Sequence, residues 1–270
     1  MKAEDLKLVV QNKYGEIASQ SKEQNQSSCC GTTGCCDNTH YSIFSDDYTK
    51  LDGYNPDADL GLGCGLPTQY AEIKEGNDVL DLGSGAGNDC FVARTLVGRS
   101  GHVTGIDFTD AMLDKAGKNL ERTGFKNIDF IKGDIEQMPL KDNAFDVVIS
   151  NCVLNLVPDK AKAFGEIHRV LKPGGHFCIS DVVLTGGLPQ KLKEAAEMYA
   201  GCVSGAILKE EYLAIIHQSG FTNIAVKKEK EIEIPSDILL SYLTPEEIKN
   251  FKSKQIGIYS ITVNGTKHEQ

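Results

Sequence analysis

Val79-Leu80-Asp81-Leu82-Gly83-Ser84-Gly85-Ala86-Gly87 is the stretch that decides the fold. A short apolar run leads straight into a turn with glycine at every second position. Glycines in such a turn adopt backbone conformations closed to side chains with a Cβ and let a ligand approach the main chain. The helix expected next points its first N–H groups at a carboxylate or a phosphate. The spacing is G-x-G-x-G, whereas the dinucleotide fingerprint places its third glycine one position later, where Asn88 stands. The loop therefore fits S-adenosylmethionine better than a nicotinamide dinucleotide.

The strands that follow supply the rest of such a pocket. His102 to Asp107 (HVTGID) ends on an acid, at the place where a carboxylate accepts the two ribose hydroxyls of a nucleoside. Phe130 to Ile135 (FIKGDI) predicts a third strand ending near Asp134, which suits an adenine amino group, and Phe145 to Ser150 (FDVVIS) reads as a buried fourth strand. Arg169 to Gly175 (RVLKPGG) reads as a helix end with a proline-glycine stop, before a fifth strand over Gly175 to Asp181. Helical stretches at Ala111 to Thr123 and Lys160 to Leu171 alternate with these strands. That order predicts an α/β fold, a doubly wound parallel sheet with its ligands at the carboxyl ends of the strands.

The chain has 270 residues, a net charge of -10 and 40% apolar content. That is enough for a substantial core, and it offers neither a basic footprint for nucleic acid nor a polybasic membrane anchor. No charged-then-apolar leader and no long apolar run is present, so the expected location is cytoplasmic, with no membrane association. The nine cysteines are then expected to be reduced thiols rather than a disulfide scaffold. A helix is expected over Ala3 to Ala18, with Leu6, Val9, Val10, Tyr14 and Ile17 on one face. Ser19 to His40 is polar and carries Cys29-Cys30 and Cys35-Cys36; adjacent cysteines fit a structural zinc site less readily than spaced pairs do.

The other cysteines sort by their place in the fold. Cys90, on the helix after the glycine loop, and Cys178, inside the fifth strand, are expected to be buried small hydrophobes. Cys152 follows the fourth strand, where a transferable methyl group would be presented. Cys64 in Gly61-Leu62-Gly63-Cys64-Gly65 and Cys202 in Ala200-Gly201-Cys202-Val203-Ser204-Gly205 have small neighbours, which predicts flexible segments with approachable thiols.

Through DLGSGAG, GIDF, GDIEQMP, FDVVISN and RVLKPGG the chain resembles the class I S-adenosylmethionine-dependent methyltransferases, of Rossmann-like fold, from about Ala71 to Asp181. Within that class it resembles the arsenite methyltransferases, through Gly63-Cys64-Gly65, through Ser150-Asn151-Cys152-Val153-Leu154-Asn155-Leu156-Val157-Pro158-Asp159-Lys160, and through Cys202 before Gly205-Ala206. The resemblance implies an N-terminal cysteine-rich arm at 1–70, a cofactor-binding core at 71–184 and a small C-terminal extension at 185–270. The extension would carry an antiparallel strand pair, with Phe221 to Val226 and Ile256 to Val263 as candidates, and two short helices over Ser236 to Lys254. It implies cofactor contacts at Asp81, Gly83, Gly85, Gly87, Asp107, Phe108, Asp134, Ile135 and Asn151. It also implies trivalent arsenic on Cys64, Cys152 and Cys202, and a fourth working cysteine in the arm, with Cys36 the preferred match.

The chemistry of arsenic is consistent with that implication. Trivalent arsenic is thiophilic, and three thiolates complete its pyramidal coordination. Its remaining lone pair is the nucleophile, so alignment matters more than a base. Methyl transfer formally oxidises arsenic; two enzyme thiols that close to a disulfide restore the trivalent state, and glutathione or thioredoxin resets them. The expected partners are thus arsenite or its thiol conjugates, with thioredoxin as a possible reductant. Two other readings use part of the same residues. A methyltransferase of the quinone-biosynthesis type, with a carbon or oxygen acceptor, would need the cofactor strands but not the cysteines, and a non-catalytic metalloid binder would need the reverse.

Overall fold

The structure, a computed structural model, describes residues 3–19, 46–187, 205–233, 239–240, 243–253 and 257–269. Helix α1 (Ala3–Ala18) comes first, followed by a 3-10 turn at Tyr48–Lys50 and the short helix α2 (Pro67–Tyr70). Strands and helices then alternate as β1 (Asp78–Leu82), α3 (Asn88–Val97), β2 (His102–Asp107), α4 (Asp110–Thr123), β3 (Ile128–Lys132), β4 (Phe145–Asn151), α5 (Lys160–Val170) and β5 (Leu171–Thr185). The chain ends with α6 (Lys209–Gln218), β6 (Phe221–Ile232), α7 (Pro245–Ser253) and β7 (Gly257–Lys267).

These strands form one seven-stranded sheet in the order β3-β2-β1-β4-β5-β7-β6. The first five are parallel, and β7 runs antiparallel to both β5 and β6. The doubly wound sheet and the antiparallel pair are therefore both as expected, with β6 longer than its predicted segment. Ile256 lies outside the described residues. Of the two helices expected between them, α7 is present, and most of 236–243 lies outside the described residues. Strand β5 begins earlier than predicted: α5 stops at Val170 and Leu171 is already paired with Phe145, with a register shift before Val147 pairs with His176. Pro173 and Gly174, read from sequence as a stop, sit in that irregularity, where Pro costs no ladder bond.

Side-chain alternation along each strand explains where the core lies. Leu80 and Leu82 of β1 face one way, into a cluster with Phe164 of α5, Tyr212 of α6 and Phe221 of β6. Val79 faces the other way, with Phe91 of α3, Val103, Val147 and Cys178. Asp81 shares the second face and so lies under α3, at the carboxyl end of β1. From its predicted apolar face, α1 sends Val10, Tyr14 and Ile17 toward the body, and it packs against α4. Among the described residues, no helix is long and apolar enough to cross a membrane.

Candidate active site

The carboxyl ends of β1, β2, β3 and β4 open onto one cavity. Among the predicted cofactor residues, Asp81, Gly83, Gly85, Asp107, Phe108, Asp134, Ile135 and Asn151 line it, and Cys152 stands on the same wall. Gly87 does not. It caps the start of α3 at a φ of 95°, and a Cβ there would come within 2.7 Å of the Phe130 ring, so this glycine serves helix-to-strand packing. Gly85, at a φ of 52°, faces open space instead: a Cβ there would find only Met112 Sδ, at 3.9 Å. The cavity begins where that missing side chain would stand.

Asp107 is buried and held by the glycine loop itself, accepting from the Gly85 N–H at 3.0 Å and the Thr109 N–H at 2.8 Å. Burial pushes its carboxyl above the ordinary carboxylate range, and the backbone N–H groups pull against that shift. Asp81 is buried more deeply and accepts from the Cys90 thiol at 3.2 Å; burial, then the nearby Asp89 charge, raises its pKa well above the ordinary value. Among the described residues, five aspartates line the cavity (Asp59, Asp81, Asp89, Asp107 and Asp134) against one cation, Lys7. Such a wall suits a ligand with a positive centre, such as a sulfonium or an α-ammonium group, and disfavours the pyrophosphate of a dinucleotide. The glycine cradle and this donor set fit S-adenosylmethionine.

The structure places Cys64 and Cys152 in one neighbourhood through Asn151. The Asn151 side chain accepts from the Cys64 N–H at 3.0 Å and donates to the Gly65 carbonyl at 2.8 Å and to the Tyr48 hydroxyl at 2.6 Å. Tyr48 in turn donates to Asp89 of α3 at 2.9 Å. Burial lifts the Asp89 carboxyl to about 6, and its bonds to Tyr48 and Asn151 oppose the rise. On its other side, the Cys64 carbonyl accepts from Ser260 Oγ at 2.5 Å. The Cys64 peptide is thus clamped between the ends of β4 and β7. Cys152 has a φ of 62°, rare for a residue with a Cβ, and its N–H donates to the Ser180 carbonyl at 2.8 Å. The buried hydroxyl of Tyr212 has its pKa raised first by burial and then by Asp181.

The expectation of an approachable Cys64 thiol in a flexible segment is not met, since Cys64 is 1% exposed; Cys152 is 3% exposed. The flanking glycines allow close packing rather than access. A Cβ at Gly63 would lie 2.6 Å from Asn151 Nδ2, and one at Gly65 2.5 Å from Ser180 Oγ. Cys90 and Cys178 are buried as expected, with thiols that burial pushes up. Cys36 and Cys202, with Cys29, Cys30 and Cys35, lie outside the described residues. Among the described residues, no group of three or more His, Cys, Asp or Glu is arranged to hold a metal ion. Sequence reasoning missed Tyr48, Asp89 and the helix α1 side chains Lys7, Val10 and Tyr14, all on the cavity wall. Lys7, Val10, Tyr14 and Tyr48 meet the site from a distant part of the chain, so nothing local marks them; Asp89 sits in the first turn of α3, two positions past Gly87, and its place beside the glycine loop was the signal that could have found it.

Parallel sheet, glycine cradle and acid-lined cavity together define a class I S-adenosylmethionine methyltransferase, and residues 73–220 match the family model for a methyltransferase domain. The chain is 38% identical to an arsenite methyltransferase of Halobacterium salinarum, over 87% of this chain and 62% of the relative. It is 35% identical to an arsenite methyltransferase of Aquipseudomonas alcaligenes, over 87% and 67%. Among solved structures it is similar to an arsenic(III) S-adenosylmethionine methyltransferase from Chlamydomonas reinhardtii, with 38% identity, a TM-score of 0.64, and 76% of this chain and 68% of that one covered. The chain belongs to the arsenite methyltransferase family. It spans 62 to 67% of the length of the two curated relatives.

Proposed function

We propose that this protein methylates trivalent arsenic, held by cysteine thiolates at the carboxyl end of β4. The observation that carries the reading is the Asn151 side chain, which fastens the Cys64 peptide next to Cys152 on the wall of the cofactor cavity. Cys202 is the third thiolate in this reading. Gly205, three residues further on, packs so closely on Asn155 that a Cβ would overlap its carbonyl.

S-adenosylmethionine, when bound, supplies an electrophilic methyl group on a positively charged sulfur. Asp107 would accept the ribose hydroxyls, Asp134 and Ile135 would meet the adenine, and the remaining aspartates would complement the positive end. The thiolates fix the arsenic so that its lone pair faces the methyl group, and no side chain has to remove a proton from the nucleophile. Burial of Cys64 and Cys152 keeps water off the arsenic. Forming the As–C bond would use the arsenic lone pair while the S–CH3 bond breaks, its electron pair leaving with S-adenosylhomocysteine, so that arsenic is formally oxidised by two electrons. Two thiolates return those electrons as they close to a disulfide, for which Cys64 and an arm cysteine, Cys36 by preference, are the candidates. A small thiol or thioredoxin then reduces the disulfide.

The test compares two cysteines on two substrates, with products resolved by chromatography under excess reductant. Arsenite can use three sulfurs; monomethylated arsenic, with one position taken by carbon, needs two. Cys152→Ser is expected to abolish methylation of both, whereas Cys64→Ser should damage the arsenite reaction far more than the second methylation. Normal turnover of both substrates by Cys152→Ser would sink the coordination scheme. The quinone-type reading predicts instead that the parent chain leaves arsenite unmethylated and that removing Cys64, Cys152 or Cys202 leaves activity on a carbon or oxygen acceptor largely intact.

A further inference from the structure

Helix α1 lies against the part of the cavity formed by the loops after β2 and β3. Its Lys7 Nζ contacts two carboxylates, Asp134 at 2.5 Å and Glu136, from the loop that follows β3. One turn on, Gln11 Nε2 donates to the Phe108 carbonyl, next to Asp107, at 3.1 Å. At the far end of α1, Lys115 Nζ donates to the Ala18 carbonyl at 3.0 Å. The helix is therefore pinned to the loops after β2 and β3 and to α4. Between those pins Val10 and Tyr14 join Lys7 on the cavity wall.

We infer that α1 is part of the cofactor site, and that Lys7 is a specificity-determining residue: by bridging Asp134 and Glu136 it holds the Asp134 carboxylate in place to accept the adenine amino group. The inference rests on the cofactor reading above. Asp134 Oδ1 accepts from the Glu136 N–H at 2.9 Å and Oδ2 from Lys7, which leaves each oxygen a further lone pair for a third donor. Glu136 is fixed as well; its side chain is 5% exposed and its Oε1 accepts from the Asp159 N–H at 2.7 Å. Without the ammonium, Asp134, whose side chain is 42% exposed, would be repelled by Glu136 and free to turn to solvent. Burial pushes the Asp134 carboxyl up, but the Lys7 and Glu136 N–H bonds outweigh it and set it below the ordinary range, so it stays an acceptor at neutral pH.

The experiment is calorimetric binding of S-adenosylhomocysteine and of S-inosylhomocysteine, which presents a carbonyl oxygen in place of the adenine amino group. The full chain, Lys7→Met and Lys7→Arg are compared after their thermal transitions have been matched. Lys7→Met is expected to lower the affinity for S-adenosylhomocysteine roughly tenfold while changing that for the inosine analogue by less than about twofold. Lys7→Arg, which keeps the bridge, should recover most of the loss. An unchanged or higher affinity for S-adenosylhomocysteine in Lys7→Met would overturn the inference, because Lys7 would then be idle or in the way of the adenine. Equal losses on both ligands would also overturn it, since they mark a structural prop. Failure of the parent chain to bind either ligand would instead remove the cofactor reading, and the inference with it.

Discussion

Asp181 is the most deeply buried carboxylate near the two cysteines, with no exposed surface. It accepts from the Tyr212 hydroxyl at 3.1 Å and from the Val182 N–H at 3.0 Å. Burial pushes its carboxyl up to about 7, with the Lys160 charge and those two bonds working the other way. The sign for stability follows from proton counting. Between the ordinary carboxylate value of 3.8 and about 7 the folded protein holds this proton more tightly than the unfolded chain does. The contribution of Asp181 therefore falls as pH rises through that window. Asp181→Asn removes the titration and keeps the shape. Its melting temperature is expected to gain on the parent's from pH 4 to pH 7 and to hold a constant offset above that. An offset that stays flat across the whole range would show that Asp181 ionises in the fold as it does in water.

At the scale of elements, the loop 61–65 behaves as a packed insert between β4, β5 and β7. Gly63→Ala tests this, because its Cβ has no room beside Asn151 Nδ2. Overpacking of this kind costs roughly 1–3 kcal/mol, and the strain would fall on the bond that holds the Cys64 N–H. A lower melting temperature with reduced arsenite methylation is expected. Parent-like values in both would mean that the loop is not seated as described. The same loop shows where sequence ceases to inform. Glycines on both sides of a cysteine look alike whether they grant access or close contact, and the partners that decide, Asn151 and Ser180, lie far along the chain. By contrast β1, β2 and β4 were legible because strands buried on both faces are written as local apolar runs ending in an acid or a polar residue.

For the whole molecule, the sheet order brings four strand ends to one cavity, and the place of Asp81, Asp107 and Asp134 on its wall could be read from their positions at those ends. Helix α1 was legible as an amphipathic helix, but its destination was not, since Lys7 meets Asp134 across 127 positions of chain. Contacts of that span depend on the completed fold, not on local pattern. The central claim is that the cavity delivers a methyl group to arsenic and not to carbon or oxygen. The most direct measurement is a chromatographic assay of the full chain with arsenite, S-adenosylmethionine and a thiol reductant, resolving the arsenic species. The account predicts mono- and dimethylated arsenic with matching formation of S-adenosylhomocysteine. Cofactor binding without any methylated arsenical would contradict it.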